Sequence, residues 1–182
     1  MDSPDVRHTA NVLGATVEAL ARELSAVTVT AAAGEGGRAS ALTALAAYAS
    51  GEPIEYLADS VGLSHSRCVR IVSELERDGL VTRTPGVTDR RTVRVTLTRR
   101  GRAAARRVTD RRLRVLGDEL DLLAPEDRAA LDRICASILA RRSTGVRAPE
   151  RVCRLCDPRA CGHPDRCPVT TAARAAAQDG RD

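Results

Sequence analysis

The residues best equipped for chemistry lie in one short run near the C-terminal end, CRLCDPRACGHPDRC. Cys153, Cys156, Cys161 and Cys167 stand at C-x2-C-x4-C-x5-C spacing, with His163 between the last two as a substitute ligand. A C-x2-C step makes the tight knuckle that aims two thiolates at one ion, and four such donors satisfy a tetrahedral metal. The intervening Pro and Gly let so short a loop wrap. A segment with almost no apolar side chains cannot fold on a core of its own, so a cross-link through metal is expected to hold it. Zn2+ is the first choice for that metal. A [4Fe-4S] cluster is the alternative: four thiolates with Pro168 after the last suit one, although neither ferredoxin spacing is matched. A third reading is a thiol switch that closes disulfides under oxidation.

Other reactive residue types are dispersed. Cys68 and Cys135 fall in apolar stripes and read as small core residues. The histidines His8, His65 and His163 are scattered, and neither a nucleophile–base pair nor a glycine-rich phosphate loop is visible, so an enzyme is not expected. The N-terminus lacks the charged-then-apolar order of a leader. The longest uncharged stretch near it, Leu24 to Gly34, falls well short of the ~20 residues a membrane span needs. The sequence predicts a cytoplasmic chain without membrane contact, where cysteines serve metals or redox before structural disulfides.

Charge points to a polyanion. All 29 basic residues are arginine and the net charge is +5. From Ser64 to Arg107 there are twelve arginines against four acids, Glu74, Glu76, Asp78 and Asp89. A surplus confined to one stretch is the footprint of a phosphate-facing surface. Aromatic residues make up 1% of the chain, which removes the stacking platforms single-strand binders use. Double-stranded DNA is the better partner.

The element that must present this charge lies between Ile54 and Gly101. Leu57, Ala58 and Val61 recur at helical spacing, and Gly62 supplies the left-handed residue that ends a helix. Ser64 is placed to cap a second helix whose inward stripe is Cys68, Ile71, Val72 and Leu75. Helix, short turn with glycine, helix is the helix-turn-helix pattern, whose second helix enters the major groove. Its outward face carries His65, Ser66, Arg67, Val69, Arg70 and Ser73. Ser66, Arg67 and Val69 suit base reading, because Arg forks onto guanine, Ser reads base or phosphate, and Val meets a thymine methyl. Arg70 suits phosphate, and His65 either phosphate or solvent. The period then changes to two Val/Thr-rich strands, Leu80–Arg83 and Thr92–Leu97, around a Pro-Gly turn and the basic tip Arg90-Arg91, with Asp89 beside it. That makes a wing.

These residues resemble a known family. GLVTR followed by D-R-R-x-x-x-V-x-L-T-x-x-G, from Asp89 to Gly101, is similar to the wing signature of MarR-type regulators. The resemblance spans roughly residues 5–142. It implies a mainly α fold with a small β-wing, a helical dimerisation domain, Arg91 in the minor groove and Asp89 orienting the wing. It also implies a small aromatic acid or phenol as inducer, bound between the dimer and DNA-binding regions.

Four segments follow. Residues 1–37 form a dimerisation helix and loop: Ser3-Pro4-Asp5 starts it, and Val6, Ala10, Leu13, Val17, Leu20, Leu24 and Val27 step as a heptad-like seam. The loop is expected over Ala31–Gly37. Residues 38–98 hold a short helix (Ala39–Ala49) and the winged helix-turn-helix. Residues 99–142 form two further helices, with Val108, Leu116, Leu120 and Leu123 inward on the first and Leu131, Ile134, Cys135, Ile138 and Leu139 on the second. Residues 143–182 are a linker, the cysteine run and a tail expected to fray. The expectation is a homodimeric regulator, most simply a repressor, on a palindromic operator, responsive to a ligand, metal or oxidant. The competing reading makes the cysteine run the primary functional site, in a redox or protein-interaction module carried by a helical dimer.

Overall fold

Without phenylalanine or tryptophan, the interior is filled by leucine, valine, isoleucine and alanine. The structure is a computed structural model and describes residues 3–32, 34, 37–86, 92–143 and 148–179. The order is α1 (Pro4–Ala32), α2 (Arg38–Ala47), α3 (Ile54–Val61), α4 (His65–Arg77), β1 (Val81–Pro85), β2 (Val93–Leu97), α5 (Arg99–Asp121), α6 (Pro125–Arg142), α7 (Ala148–Cys153) and α8 (Pro168–Asp179). The fold is mainly α with one two-stranded antiparallel sheet. Leu42, Leu45, Leu57, Val72, Leu75, Val81, Val95 and Val108 are each under 2% exposed. They come from α2, α3, α4, both strands and α5, so one core joins the helix-turn-helix to its wing and to the start of the long helix.

Local chemistry places the turn. Gly62 adopts φ 71°, ψ 36°, and its N–H donates to the carbonyls of Ala58 and Asp59, ending α3. The Ser64 hydroxyl accepts from the Arg67 N–H and starts α4. Cys68, Ile71, Val72 and Leu75 then point into the core. The wing pairs Val81 with Leu97 through Pro85 with Val93. Its outer strand is tied back to the α2–α3 turn, where Gly51 N–H donates to the Val95 carbonyl at 2.9 Å and Pro53 bridges Arg94.

The T-x-x-G that closes the wing has a steric cause. Thr98 Oγ1 donates to the Gly79 carbonyl at 2.8 Å and accepts from the Gly101 N–H at 3.0 Å. It thereby caps α5 and pins it to the start of β1. At Gly101 a Cβ would lie 1.9 Å from the Leu80 carbonyl oxygen, a distance no side chain tolerates.

Several expectations change. The loop expected over Ala31–Gly37 is helical through Ala32, because Ala31 and Ala32 pack into the core. The short helix begins at Arg38 rather than Ala39. Within the expected linker, α7 begins at Ala148. The tail expected to fray is the helix α8, anchored by Val169 at 2% exposure and in contact with α6. The helices expected to pair with a second copy behave differently from the head. Val6, Leu13 and Val17 are about half exposed, and Leu120, Leu123, Leu131 and Ile134 are exposed as well, so these apolar stripes lack cover within one chain.

Candidate nucleic-acid interface and cysteine cavity

Because one face of α4 is locked into the core, the other is fixed in direction. Ser64, His65, Ser66, Arg67 and Arg70 are exposed on it, whereas Val69 and Ser73 are half-buried. Ser66 Oγ stands 3.3 Å from Ser64 Oγ, and His65 Nδ1 lies 3.8 Å from a Glu55 carboxylate oxygen. Ser73 has a structural task. Its hydroxyl donates to the Val69 carbonyl at 2.8 Å and accepts from Arg83 Nη2 at 2.6 Å. Arg83 also reaches the Val69 carbonyl at 3.2 Å and Glu76 at 3.4 Å, so β1 braces α4 along its flank. Asp89, Arg90 and Arg91 lie outside the described residues.

Two charged residues matter that sequence reasoning did not single out. Arg83 is one, and nothing within GLVTR distinguishes a brace from a phosphate contact. Arg38 is the other. Its side chain is 6% exposed and its guanidinium pairs with Asp78 and, at 3.5 Å, with Glu74, while Nε donates to the Ala32 carbonyl at 3.5 Å. The end of α1, the start of α2 and the end of α4 are thus joined through one buried, paired cation. Along the first turns of α5, Arg99, Arg100, Arg102, Arg106 and Arg107 are exposed on the same chain segment that leaves the wing.

The cysteine run is docked rather than free. Tyr48 Oη donates to the Glu150 carbonyl at 3.1 Å, Thr43 Oγ1 donates to the Arg154 carbonyl, and Arg151 Nε donates to the Asp59 carbonyl at 2.9 Å. These contacts hold the segment against α2 and α3. Leu155 packs on the core. Cys153, Cys156, Cys161, Cys167 and His163 rim one cavity of about 180 Å³, whose other walls include Tyr48, Tyr56 and Val169. The left-handed Gly162 makes the turn between its halves (φ 69°), where a Cβ would meet Arg166 at 2.8 Å.

The thiols perturb one another. A hydrogen bond with Cys156, then burial, pushes Cys153 far up. The same bond lowers Cys156 to about 7, against burial and with help from Arg112 on α5. Burial raises Cys161. At Cys167 burial is outweighed by hydrogen bonds from Thr170 and Val169 at the start of α8, which lower it. His163 Nδ1 is held 3.0 Å from Thr170 Oγ1. Among the described residues, no three His, Cys, Asp or Glu side chains stand close enough to hold a single metal ion as placed. Cys68 is fully buried, and burial raises it to about 11. Cys135 is exposed on α6 rather than packed in its own chain's core.

The architecture recurs in solved structures. A MarR family protein from Bacillus stearothermophilus superposes with TM-score 0.67 at 22% identity, over 79% of this chain and 99% of that one. A MepR variant from S. aureus bound to an oligodeoxyribonucleotide gives 0.57 at 14% identity, over 73% and 96%. CouR from Rhodococcus jostii RHA1, bound to p-coumaroyl-CoA, gives 0.53 at 23% identity, over 69% and 90%. The fold is that of the MarR-family winged helix. No protein-family model matches the sequence, and no curated protein matches it.

The MarR-type frame accounts for α4 and the strands as head and wing, and for α1, α5 and α6 as the helices beside it. Each of these MarR-type structures is covered almost to its ends while leaving part of this chain unmatched. Among the described residues, no helix is long and apolar enough to cross a membrane.

Proposed function

We propose that the chain is a transcriptional regulator, acting as a repressor, that binds an inverted-repeat operator as a homodimer. One observation carries the reading: Arg67 and Arg70 stand exposed beside Ser66 on the face of α4 opposite its core-locked stripe. A helix so fixed presents side chains to the major groove in a set register. Ser66, Arg67 and Val69 read bases, Arg70 and the α5 arginines take phosphates, and Arg91 reaches the minor groove beside Asp89 and Arg90. The exposed stripes of α1, α5 and α6 pair with those of a second copy. DNA and a CoA thioester in two structures of the same fold support both a duplex partner and a ligand-responsive one. For the ligand, a cavity of about 390 Å³ lies between Ala31 and Ala32 of α1, Arg38, Asp78, and Arg100 and Arg107 of α5. Arg38 there is already paired with Asp78 and Glu74, which leaves Arg100 and Arg107 to suit an anionic inducer.

The test is selection of binding sites from a random duplex pool, followed by titration of the enriched site. An enriched inverted repeat is the expected outcome. Arg67→Ala should lose about 1–3 kcal/mol on that site and relax the preference at one base pair, whereas Arg70→Ala should weaken all duplexes alike. A pool that enriches no sequence would sink the reading.

A further inference from the structure

We infer that Cys153 and Cys156 form a redox-active dithiol, and that closing their disulfide clasps the C-terminal segment onto the helix-turn-helix head. The backbone brings the two together. Cys153 is the last residue of α7, and the Cys156 N–H donates to its carbonyl at 2.9 Å. A turn closed by such an i to i+3 bond holds its end Cα atoms within ~7 Å. A disulfide spans Cα atoms ~4.4–6.8 Å apart, so the bond can form across this turn with little movement of the backbone.

The remaining cysteines are placed less well for the reaction. Cys161 donates its S–H to the Pro158 carbonyl at 3.6 Å. Cys167 is 3% exposed and Cys68 fully buried, and Cys135 is the one cysteine of α6. Cys156 is exposed and Cys153 is partly covered, which sets their order of action. The thiolate of Cys156 attacks one sulfur of a small-molecule disulfide, and the other half leaves as a thiolate that takes up the proton Cys156 gave up. Cys153 then attacks the Cys156 sulfur of the mixed disulfide, and its proton passes to the second departing thiolate. The two cysteines lose two electrons and two protons, and one small disulfide becomes two small thiols.

What the turn encloses gives this reaction a structural consequence. Between the two cysteines stand Arg154 and Leu155. The Arg154 carbonyl accepts from Thr43 Oγ1 on α2, and Leu155 packs on the core of the head. Arg154 Nη1 donates to the Arg151 carbonyl at 2.6 Å, and Arg151 Nε reaches the Asp59 carbonyl of α3 at 2.9 Å. The reduced segment is therefore docked through hydrogen bonds and one apolar side chain at this turn. A disulfide removes conformations open to the undocked turn, so oxidation shifts local opening towards the docked form. The residues the ring encloses are the ones that touch the head.

The test equilibrates the full chain, reduced and assayed for metal, with glutathione buffers running from fully reduced to fully oxidised. Thiols are then quenched in acid, alkylated and mapped by mass spectrometry after digestion with a protease that spares arginine. A Cys153–Cys156 disulfide should be the first product and should open again in reduced glutathione. Cys153→Ser should trap glutathione on Cys156, whereas Cys156→Ser should leave Cys153 free, each with an unchanged circular dichroism signal. Glutathione retained on wild-type Cys156, a first disulfide through Cys161 or Cys167, or thiols held unreactive by a stoichiometric metal would each overturn the dithiol. Hydrogen exchange then tests the clasp. Amides of the Cys153–Cys156 turn and of the end of α2 should exchange about tenfold more slowly in the oxidised chain. Equal exchange in the two forms overturns the clasp and leaves the dithiol standing.

Discussion

Gly101 shows how one residue type can be dictated by a neighbour's backbone. The Leu80 carbonyl, which accepts from the Thr98 N–H at 3.0 Å, occupies the space a Cβ at 101 would need. Gly101→Ala must push α5 off the wing, and the expected cost is at least ~1–3 kcal/mol, read as a lowered urea midpoint. Cys68 offers a test by pH. Its thiol sits at about 11 when folded, above the ~8.5 of an unfolded cysteine. A value raised by folding means that its contribution is whole below the unfolded pKa and is lost as pH climbs towards the folded one. Urea midpoints should therefore fall between about pH 8.5 and 11, and Cys68→Ala, whatever its starting stability, should fall less. Parallel curves would contradict the buried, neutral thiol. The inward stripe of α4 and the cap Ser64 could be read from sequence because helical spacing and a partner three residues on are local signals. Arg38 could not: its partner Asp78 is 40 positions away, and an arginine at a helix start looks like any exposed charge until the fold closes. Ser73 likewise reads as outward on α4 until Arg83 arrives from β1.

At the scale of elements, local period was a good guide to type and a poor one to surroundings. Helix, turn, helix and two Val/Thr strands were legible because each carries its own periodicity and punctuation. The end of α1 was not, since glycine and alanine suggest a loop while burial of Ala31 and Ala32 extends the helix. For α8 the alanine-rich composition allows a helix but gives no sign of what anchors it; Val169 and contact with α6 hold it in place. The wing tip, residues 87–91, lies outside the described residues, so its role is tested in solution. Arg91→Ala should weaken binding to every duplex and lower the slope of log affinity against log salt by about 1 per chain, leaving circular dichroism unchanged. An unaltered slope would remove Arg91 from the list of phosphate contacts.

For the whole molecule, the decisive feature is where apolar surface remains uncovered. The head has a closed core, yet Val6, Leu13 and Val17 on α1 and Leu131 and Ile134 on α6 are between 39% and 57% exposed. Leucine and valine at helical spacing on separate helices are costly to leave in water, at about 25 cal/mol per Å², and a second copy offers matching stripes under twofold symmetry. Dimerisation would also set the distance between two copies of α4, which an operator with half-sites one helical turn apart requires. Placing charge in the α1 seam separates assembly from folding of the head. Leu13→Glu with Val17→Glu should convert a particle of twice the 19.4 kDa chain mass into one of that mass, seen by light scattering on a sizing column. Both substitutions lie on an exposed stretch of α1, away from Ala31 and Ala32, so the core of the head should survive and its thermal transition persist. The monomer should bind a single half-site weakly and lose the gain of joining two heads, a drop of about 10² or more on the full operator. Wild-type protein running at the mass of one chain would break the argument at its first step, because the uncovered stripes would then need another partner.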